Sequence, residues 1–163
     1  MIGLRKVDNG NVWEICKLKV KCAQKDFVAS NVESLAEAFA VRESGGVALP
    51  FGIYDDRVPV GFVMLGYDLV PGETDMPEIA KGNYCIWRFM IDEKFQGKGL
   101  GRQALQLVLD YVKTFPCGKA EAVYLSYEPE NTGAAALYHS FGFQENGETD
   151  GDEIVAVLEM DMF

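Results

Sequence analysis

The sequence predicts an α+β (mixed α/β) fold in a single domain spanning residues 1–163. Three observations predict it. Strand-like and helix-like segments follow one another in the order β-α-α-β-β-β-α-β-α-β. Residues 84–127 read as strand, helix, strand, which demands a right-handed crossover and a locally parallel pair. "LPFGIY" and "VPVGFVMLGYDL" flank the turn signal Asp55-Asp56-Arg57, which demands an antiparallel hairpin. A chain of 163 residues fits the size of one domain.

Each element has its own warrant. "IGLRKV" opens as a short strand with Ile2 and Leu4 on one side. "NVWEICKLKV" reads as a helix whose Val12, Ile15, Cys16 and Lys19 share a face. In "SNVESLAEAFAVRE", Ser30 or Asn31 is the N-cap, and Val32, Leu35, Ala36, Phe39 and Ala40 recur at helical spacing until Gly45-Gly46 stops them. The hairpin follows. "VPGETDMPEIAKGN" is loop by its Pro, Gly and Asp content, and "YCIWRFMID" is a strand rich in aromatic residues. Leu100, Ala104, Leu107, Val108, Tyr111, Val112 and Phe115 mark the inner face of a long helix, with Arg102, Gln103, Gln106, Asp110 and Lys113 outside; Pro116 and Gly118 end it. "AVYLSY" is a strand stopped by Pro129, "TGAAALYHSFGF" a short helix closed by Gly142, and "EIVAVLEMDMF" alternates as a last strand.

Composition narrows the function. A formal net charge of −10 argues against nucleic-acid binding, which needs clustered Lys and Arg, and favours a cationic substrate. No apolar run approaches the roughly 20 residues that cross a bilayer, and "MIGLRKVDNGNVWE" lacks a signal peptide's apolar core, so the expected location is cytoplasmic with no membrane partner. Cys16, Cys22, Cys85 and Cys117 form no C-x-x-C pair and only one histidine accompanies them, so no metal site is expected and the thiols are read as reduced and mostly core-filling.

The most informative stretch is "WRFMIDEKFQGKGLGRQAL", with three glycines in five residues between an apolar strand and a helix. Backbone N–H groups bared by glycine converge readily on an anion, and the helix N-terminus adds unpaired donors and a partial positive charge. Lys98 and Arg102 add full charges, so this corner suits a phosphate or pyrophosphate. A Walker loop is excluded because no G-x-x-x-x-G-K-[ST] occurs. Gly99, Gly101 and Ala104 do match G-x-G-x-x-A of dinucleotide-binding folds. Asp92 to Gln96 separate those glycines from the strand, however, and the chain beyond Gly101 is short for a nucleotide-binding half.

Gln96-Gly97-Lys98-Gly99-Leu100-Gly101 also fits Q-x-x-G-x-G between strand and helix, and there it resembles the acetyl-coenzyme A motif of the GNAT superfamily of N-acetyltransferases. "NTGAAALYHSFGF" is similar to that superfamily's second motif, with Asn131, Ala134, Leu137, Tyr138, Gly142 and Phe143 in every slot. The two motifs stand in the right order, one strand apart. The resemblance implies a GNAT-like acyl-CoA N-acyltransferase fold: a central, mostly antiparallel sheet with a splayed parallel central pair, flanked by about four helices. It implies that Gln96, Gly97, Lys98, Gly99, Leu100, Gly101 and Arg102 carry the pyrophosphate of acetyl-CoA. It also implies that main-chain groups of Phe89, Met90 and Ile91 bond the pantetheine arm, with Asn131 assisting. Tyr138 matches the tyrosine that protonates the leaving thiolate in many members; an ordinary phenol, near 10, would make that transfer nearly balanced.

The incoming amine must lose a proton, and the sequence names no base beyond Glu128 as a weak candidate. His139 follows Tyr138 directly and points about 100° away on a helix, so it reads as a surface residue. "FVASNVESLAEAF", "PVGFVMLGYD" and "YCIWRFMID" look like the bacterial diamine or spermine/spermidine acetyltransferase branch, with Cys85 standing where that branch often has an aromatic. This implies a small cationic amine as acceptor, drawn to a mouth lined by Glu33, Glu37, Asp55, Asp56, Glu73, Asp75 and Glu78. It also implies a homodimer, the common state among members. Acetylation of another small amine, a protein N-terminus or a lysine, a non-catalytic acyl-CoA binder, and a nucleotide-dependent oxidoreductase stay open at this point.

Overall fold

Seven strands hydrogen-bond into one sheet in the order β1-β2-β3-β4-β5-β7-β6 in a computed structural model that describes residues 1–162. They are β1 (Ile2–Lys6), β2 (Val47–Asp55), β3 (Val58–Tyr67), β4 (Tyr84–Ile91), β5 (Ala122–Tyr127), β6 (Gln144–Asp150) and β7 (Glu153–Glu159). Four α-helices flank the sheet: α1 (Val12–Cys16), α2 (Asn31–Glu43), α3 (Leu100–Val112) and α4 (Thr132–His139). Every strand pair is antiparallel except β4 and β5, as the strand-helix-strand reading of residues 84–127 requires. The hairpin turn falls where expected, with Asp56 at φ 53.

Alternation along β3 separates two cores. Val63 and Leu65 face α3 and α4, joining Leu105, Val108, Leu109 and Val112. Phe62 and Met64 face α1 and α2, joining Ile15, Ala38 and Val41. In β4 this parity changes midway. Met64 pairs with Arg88 and Leu65 with Ile86, so Trp87 is an extra residue bulged out of the ladder. Ile86 before the bulge, and Phe89 and Ile91 after it, therefore lie on the same side of the sheet, while Met90 turns to the other.

The parallel pairing of β4 with β5 is brief. Only Tyr84–Val123 and Cys85–Tyr124 are in register, and the strands then part. The buried Tyr84 pins the closed end: its hydroxyl accepts from the N–H of Cys117 and Gly118 and donates to the carbonyl of Gly118. Asn83 adds to this, its side-chain oxygen accepting from the N–H of Glu121 and of Ala122. The splayed pair implied by the resemblance is thus present, opening from Ile86 onward.

Five details depart from the expectations. The first helix stops at Cys16 instead of running to Val20, because the backbone of Lys19 is taken by the turn after β4: its N–H donates to Asp92 Oδ2 and its carbonyl accepts from Glu93 N. α2 buries Asn31, Ser34, Ala38 and Val41 and leaves Val32 and Phe39 exposed, the reverse of the face read from its larger apolar residues. Small side chains let α2 lie close to α1, with Asn31 Nδ2 donating to the carbonyl of Ile15. In α3, Leu105 and Leu109 are buried and Phe115, past the helix, is exposed with a positive φ. β6 was not expected at all, since "QENGETD" has no apolar alternation and is largely exposed along its length. The cysteines are free, but Cys22 is exposed instead of core-filling.

Asp92 joins the two halves of this framework. It is 5% exposed, and it accepts from the N–H of Lys19 on one oxygen and of Lys94 on the other. Replacing it leaves two backbone donors without partners, each costing about 1–3 kcal/mol when buried. Asp92→Ala is expected to lower stability by about 2–4 kcal/mol in urea unfolding, with proteolytic sensitivity rising first around residues 17–20.

Candidate active site

The segment between β4 and α3 takes its shape from two residues. Gly97 and Gly99 have φ of +77° and +75°, a region that side chains with a Cβ rarely enter. A Cβ at either would meet nothing within 4 Å, so the requirement is conformational, and the space above the loop is open. Gly99 is the N-cap of α3 without a capping side chain, and no acidic residue lies in the first turn. The first N–H groups of α3 and its positive end are thus uncompensated and face outward. This arrangement fits the demands of a diphosphate.

Gln96 and Arg102 brace the loop from below. Gln96 Nε2 donates to the carbonyl of Ile91 and to Gln24 Oε1, at 3.0 and 2.8 Å. Arg102 donates to Ser140 Oγ at 2.6 Å and lies over the ring of Phe141, so α3 is tied to the end of α4. Lys98 Nζ sits 5.2 Å from the ring centre of Phe95.

A cavity of about 560 Å³ begins at this loop and runs along the opening between β4 and β5. Phe89, Met90, Ile91, Gln96, Gly97, Gly99, Leu100, Gly101, Arg102, Asn131 and Tyr138 all line it. Of the residues that the resemblance assigns to acetyl-CoA or to proton transfer to sulfur, Lys98 alone is not part of the wall. Phe89 and Ile91 pack towards α3 and Met90 towards α1 and α2, so what the three share at the cavity is backbone. Asn131 caps α4, its side-chain oxygen accepting from Ala134 N at 3.4 Å.

Tyr138 stands at the inner end, 7% exposed, with its ring 5.9 Å from Tyr127 and 6.0 Å from Phe143. Burial pushes its phenol well above the ordinary tyrosine range, and nearby Glu153 raises it further. The expectation of an unperturbed phenol is corrected accordingly. Cys85 is pushed up to about 12 by burial, which makes it a poor nucleophile. His139 bonds instead to Tyr127, 3.3 Å from its hydroxyl, and approaches Glu145 at 3.8 Å.

The acidic mouth differs from its expected composition. Glu37 pairs with Arg88 at 2.8 Å, and Arg88 is a wall residue. Glu33 caps α2 and lines a smaller adjoining cavity of about 310 Å³. Asp55 and Asp56 instead hold the Met1 ammonium. Asp55, Asp56, Glu73, Asp75 and Glu78 line neither cavity. Three acids that sequence reasoning missed do line the larger one: Asp26, and the pair Asp150 and Glu153, directly opposite each other where β6 turns into β7. The signal for the pair was Gly151-Asp152, a two-residue hairpin turn that places its flanking residues Asp150 and Glu153 side by side. Glu128, the weak candidate for a base, is not in the wall.

Comparison with known proteins agrees with this architecture. The model of the "Acetyltransferase (GNAT) family" matches residues 12–143. Spermine/spermidine N(1)-acetyltransferase of Bacillus subtilis is 33% identical over 160 residues, covering 98% of this chain and 99% of that protein. N-alpha-acetyltransferase RimI of Mycobacterium tuberculosis is 39% identical over 87 residues, covering 53% of this chain and 49% of its own. Among solved structures, aminoglycoside acetyltransferase AAC(6')-Ib in complex with coenzyme A superposes with a TM-score of 0.78 at 17% identity, covering 100% of this chain and 97% of the other. With its glycine loop, its forked parallel pair and these matches along nearly its whole length, the chain belongs to the acetyltransferase (GNAT) family and is an acetyl-CoA-dependent N-acetyltransferase.

Proposed function

We propose that this protein moves the acetyl group of acetyl-CoA directly to a primary amine of a small polycation, a diamine or polyamine of the spermine/spermidine class, within a ternary complex. The observation that carries the reading is the continuity of three features: the uncapped N-terminus of α3, the open edge of β4 beyond Cys85, and one cavity that joins both to Tyr138. The full-length relative named for spermine and spermidine supports the acceptor class. So does a chain carrying a net charge of −10. A cytoplasmic homodimer completes the reading.

The residues divide the work. Backbone N–H groups from Gly97 to Arg102 hold the diphosphate, and Gln96 keeps the loop in shape. Main-chain groups of Phe89, Met90 and Ile91, left without a strand partner on the β5 side, bond the pantetheine arm, which satisfies them. The amine nitrogen attacks the thioester carbonyl, and main-chain donors at the fork stabilise the oxyanion that forms. The carbonyl re-forms, the C–S bond breaks, and Tyr138 delivers its proton to sulfur. The cavity that raises the phenol also desolvates the thiolate and raises its proton affinity, so the transfer stays close to balanced.

An amine panel tests the acceptor class. Thiol release is expected to be fastest with spermine, spermidine and putrescine, and slower with a peptide N-terminus, a lysine peptide or an aminoglycoside. Coenzyme A binding without turnover of any amine would make the protein an acyl-CoA binder instead. Tyr138→Phe is expected to lower kcat about 10²-fold or more, the usual worth of a positioned general acid, with the Kd for coenzyme A within about twofold of wild type by calorimetry. In the wild type, the raised phenol pKa keeps the acid form in place, so kcat is expected not to fall on the alkaline side until above about pH 10. Gly99→Val forces a β-branched residue into positive φ, a strain of about 1–3 kcal/mol. Affinity for coenzyme A is expected to drop at least about tenfold while the circular dichroism spectrum is retained.

A further inference from the structure

An N-acetyltransferase working near neutral pH meets its amine as an ammonium ion, so some group must accept a proton before attack. β4, which borders the reaction chamber, supplies no carboxylate between Tyr84 and Ile91. His139 is turned towards Tyr127 and Glu145, and Glu128 is outside the cavity wall. Among the described residues, the acids that line the cavity are Asp26, Asp150 and Glu153. Asp26 is exposed and lies with Gln24 and Phe27 on the stretch leading to α2, away from the β5 side of the chamber.

Resting on the amine-acetylating reading above, we infer that Glu153 accepts the proton of the incoming ammonium, with Asp150 beside it to attract and hold that cation. Glu153 is half-buried at the start of β7, and its carboxylate accepts a hydrogen bond from the hydroxyl of Ser126 on β5. Ser126 and Tyr138 share the same cavity wall, so the proton acceptor on β7 and the proton donor on α4 face one chamber. The arrangement separates their roles by environment. Burial raises the Glu153 carboxyl, and the like charges of Glu128 and Asp150 add to this, while the Ser126 bond and the Arg88 guanidinium oppose it. Burial likewise raises Asp150, again opposed by Arg88. A carboxylate with raised proton affinity is a better base for an amine than an ordinary one.

The protons balance. Glu153 takes one from the ammonium, breaking N–H and forming O–H. The nitrogen lone pair then forms the C–N bond, the C=O π pair moves to oxygen and returns, and the C–S pair leaves on sulfur. Tyr138 protonates that sulfur and recovers a proton from the nitrogen, and Glu153 releases its own to solvent.

The test is the pH profile of kcat/KM for spermidine in wild type and Glu153→Gln. Without the base, only amine already neutral in solution reacts. Activity at pH 7 is expected to fall about 10²-fold or more, and to recover steadily as pH rises towards the amine's own pKa, near 10. Affinity for coenzyme A is expected to be unchanged. The exposed Asp150→Asn provides a second arm that does not threaten folding. Removing its charge is expected to lower the Glu153 pKa, shifting the acidic limb of the profile to lower pH, and to raise KM for the cationic amine. Overturning results are a Glu153→Gln profile parallel to wild type, whether at full activity or uniformly reduced, or an Asp150→Asn limb that does not move. If the wild type acetylates no amine, the functional reading itself fails; if it does and these profiles coincide, only the role of Glu153 fails.

Discussion

The constraint on which this structure depends is the brevity of one parallel strand pairing. β4 and β5 match at two positions and then diverge, so a central strand carries an open edge in the middle of a sheet. An open edge in a buried setting is costly, because each unpaired N–H or C=O forfeits a hydrogen bond. The fold maintains it through anchors at both ends. Tyr84 and Asn83 lock the closed end, and Asp92 and Gln96 fix the far end of β4 to the first loop and to the glycine turn. Between these anchors the bulge at Trp87 resets which side chains face which layer, so Ile91 comes to lie beneath Gly101.

Around that edge the chemistry is divided by the nature of the groups used. The donor side is built from backbone: glycine-shaped amides, a bare helix end and unpaired strand groups. On the reading proposed above, the acceptor side is built from side chains: Arg88, Asp150, Glu153 and Tyr138, all in the cavity wall, are set by four different elements. Electrostatics differ accordingly. Weak, fixed dipoles at the loop favour a diphosphate, while full negative charges at the other end of the cavity favour a cation.

This division also explains what the sequence disclosed. The glycine loop was legible because its job needs particular backbone angles, and glycine at 97 and 99 advertises them. Asn131 and Tyr138 were legible because their positions match the second motif of the GNAT superfamily. The general fold was legible from alternation in β2, β3, β5 and β7. α2 was misread because the helix packs by its small residues, and periodicity weights bulk over closeness of approach. β6 was invisible because it is an edge strand with both faces in solvent, where no apolar pattern is demanded. Asp150 and Glu153 were missed for the same reason, since their position depends on pairing between β6 and β7. Gln96 and Arg102 were legible as residues, but their side chains turn out to brace the loop.

The hairpin that carries the two acids has a further consequence. Gly151 and Asp152 are exposed and form its tip, where the edge strand β6 turns into β7. Lengthening or shortening this tip would re-aim the acids without disturbing any amide that meets the thioester's carrier. On the roles proposed above, indels at this solvent-facing bend would change which amine is accepted while the machinery for the activated acyl donor is inherited intact.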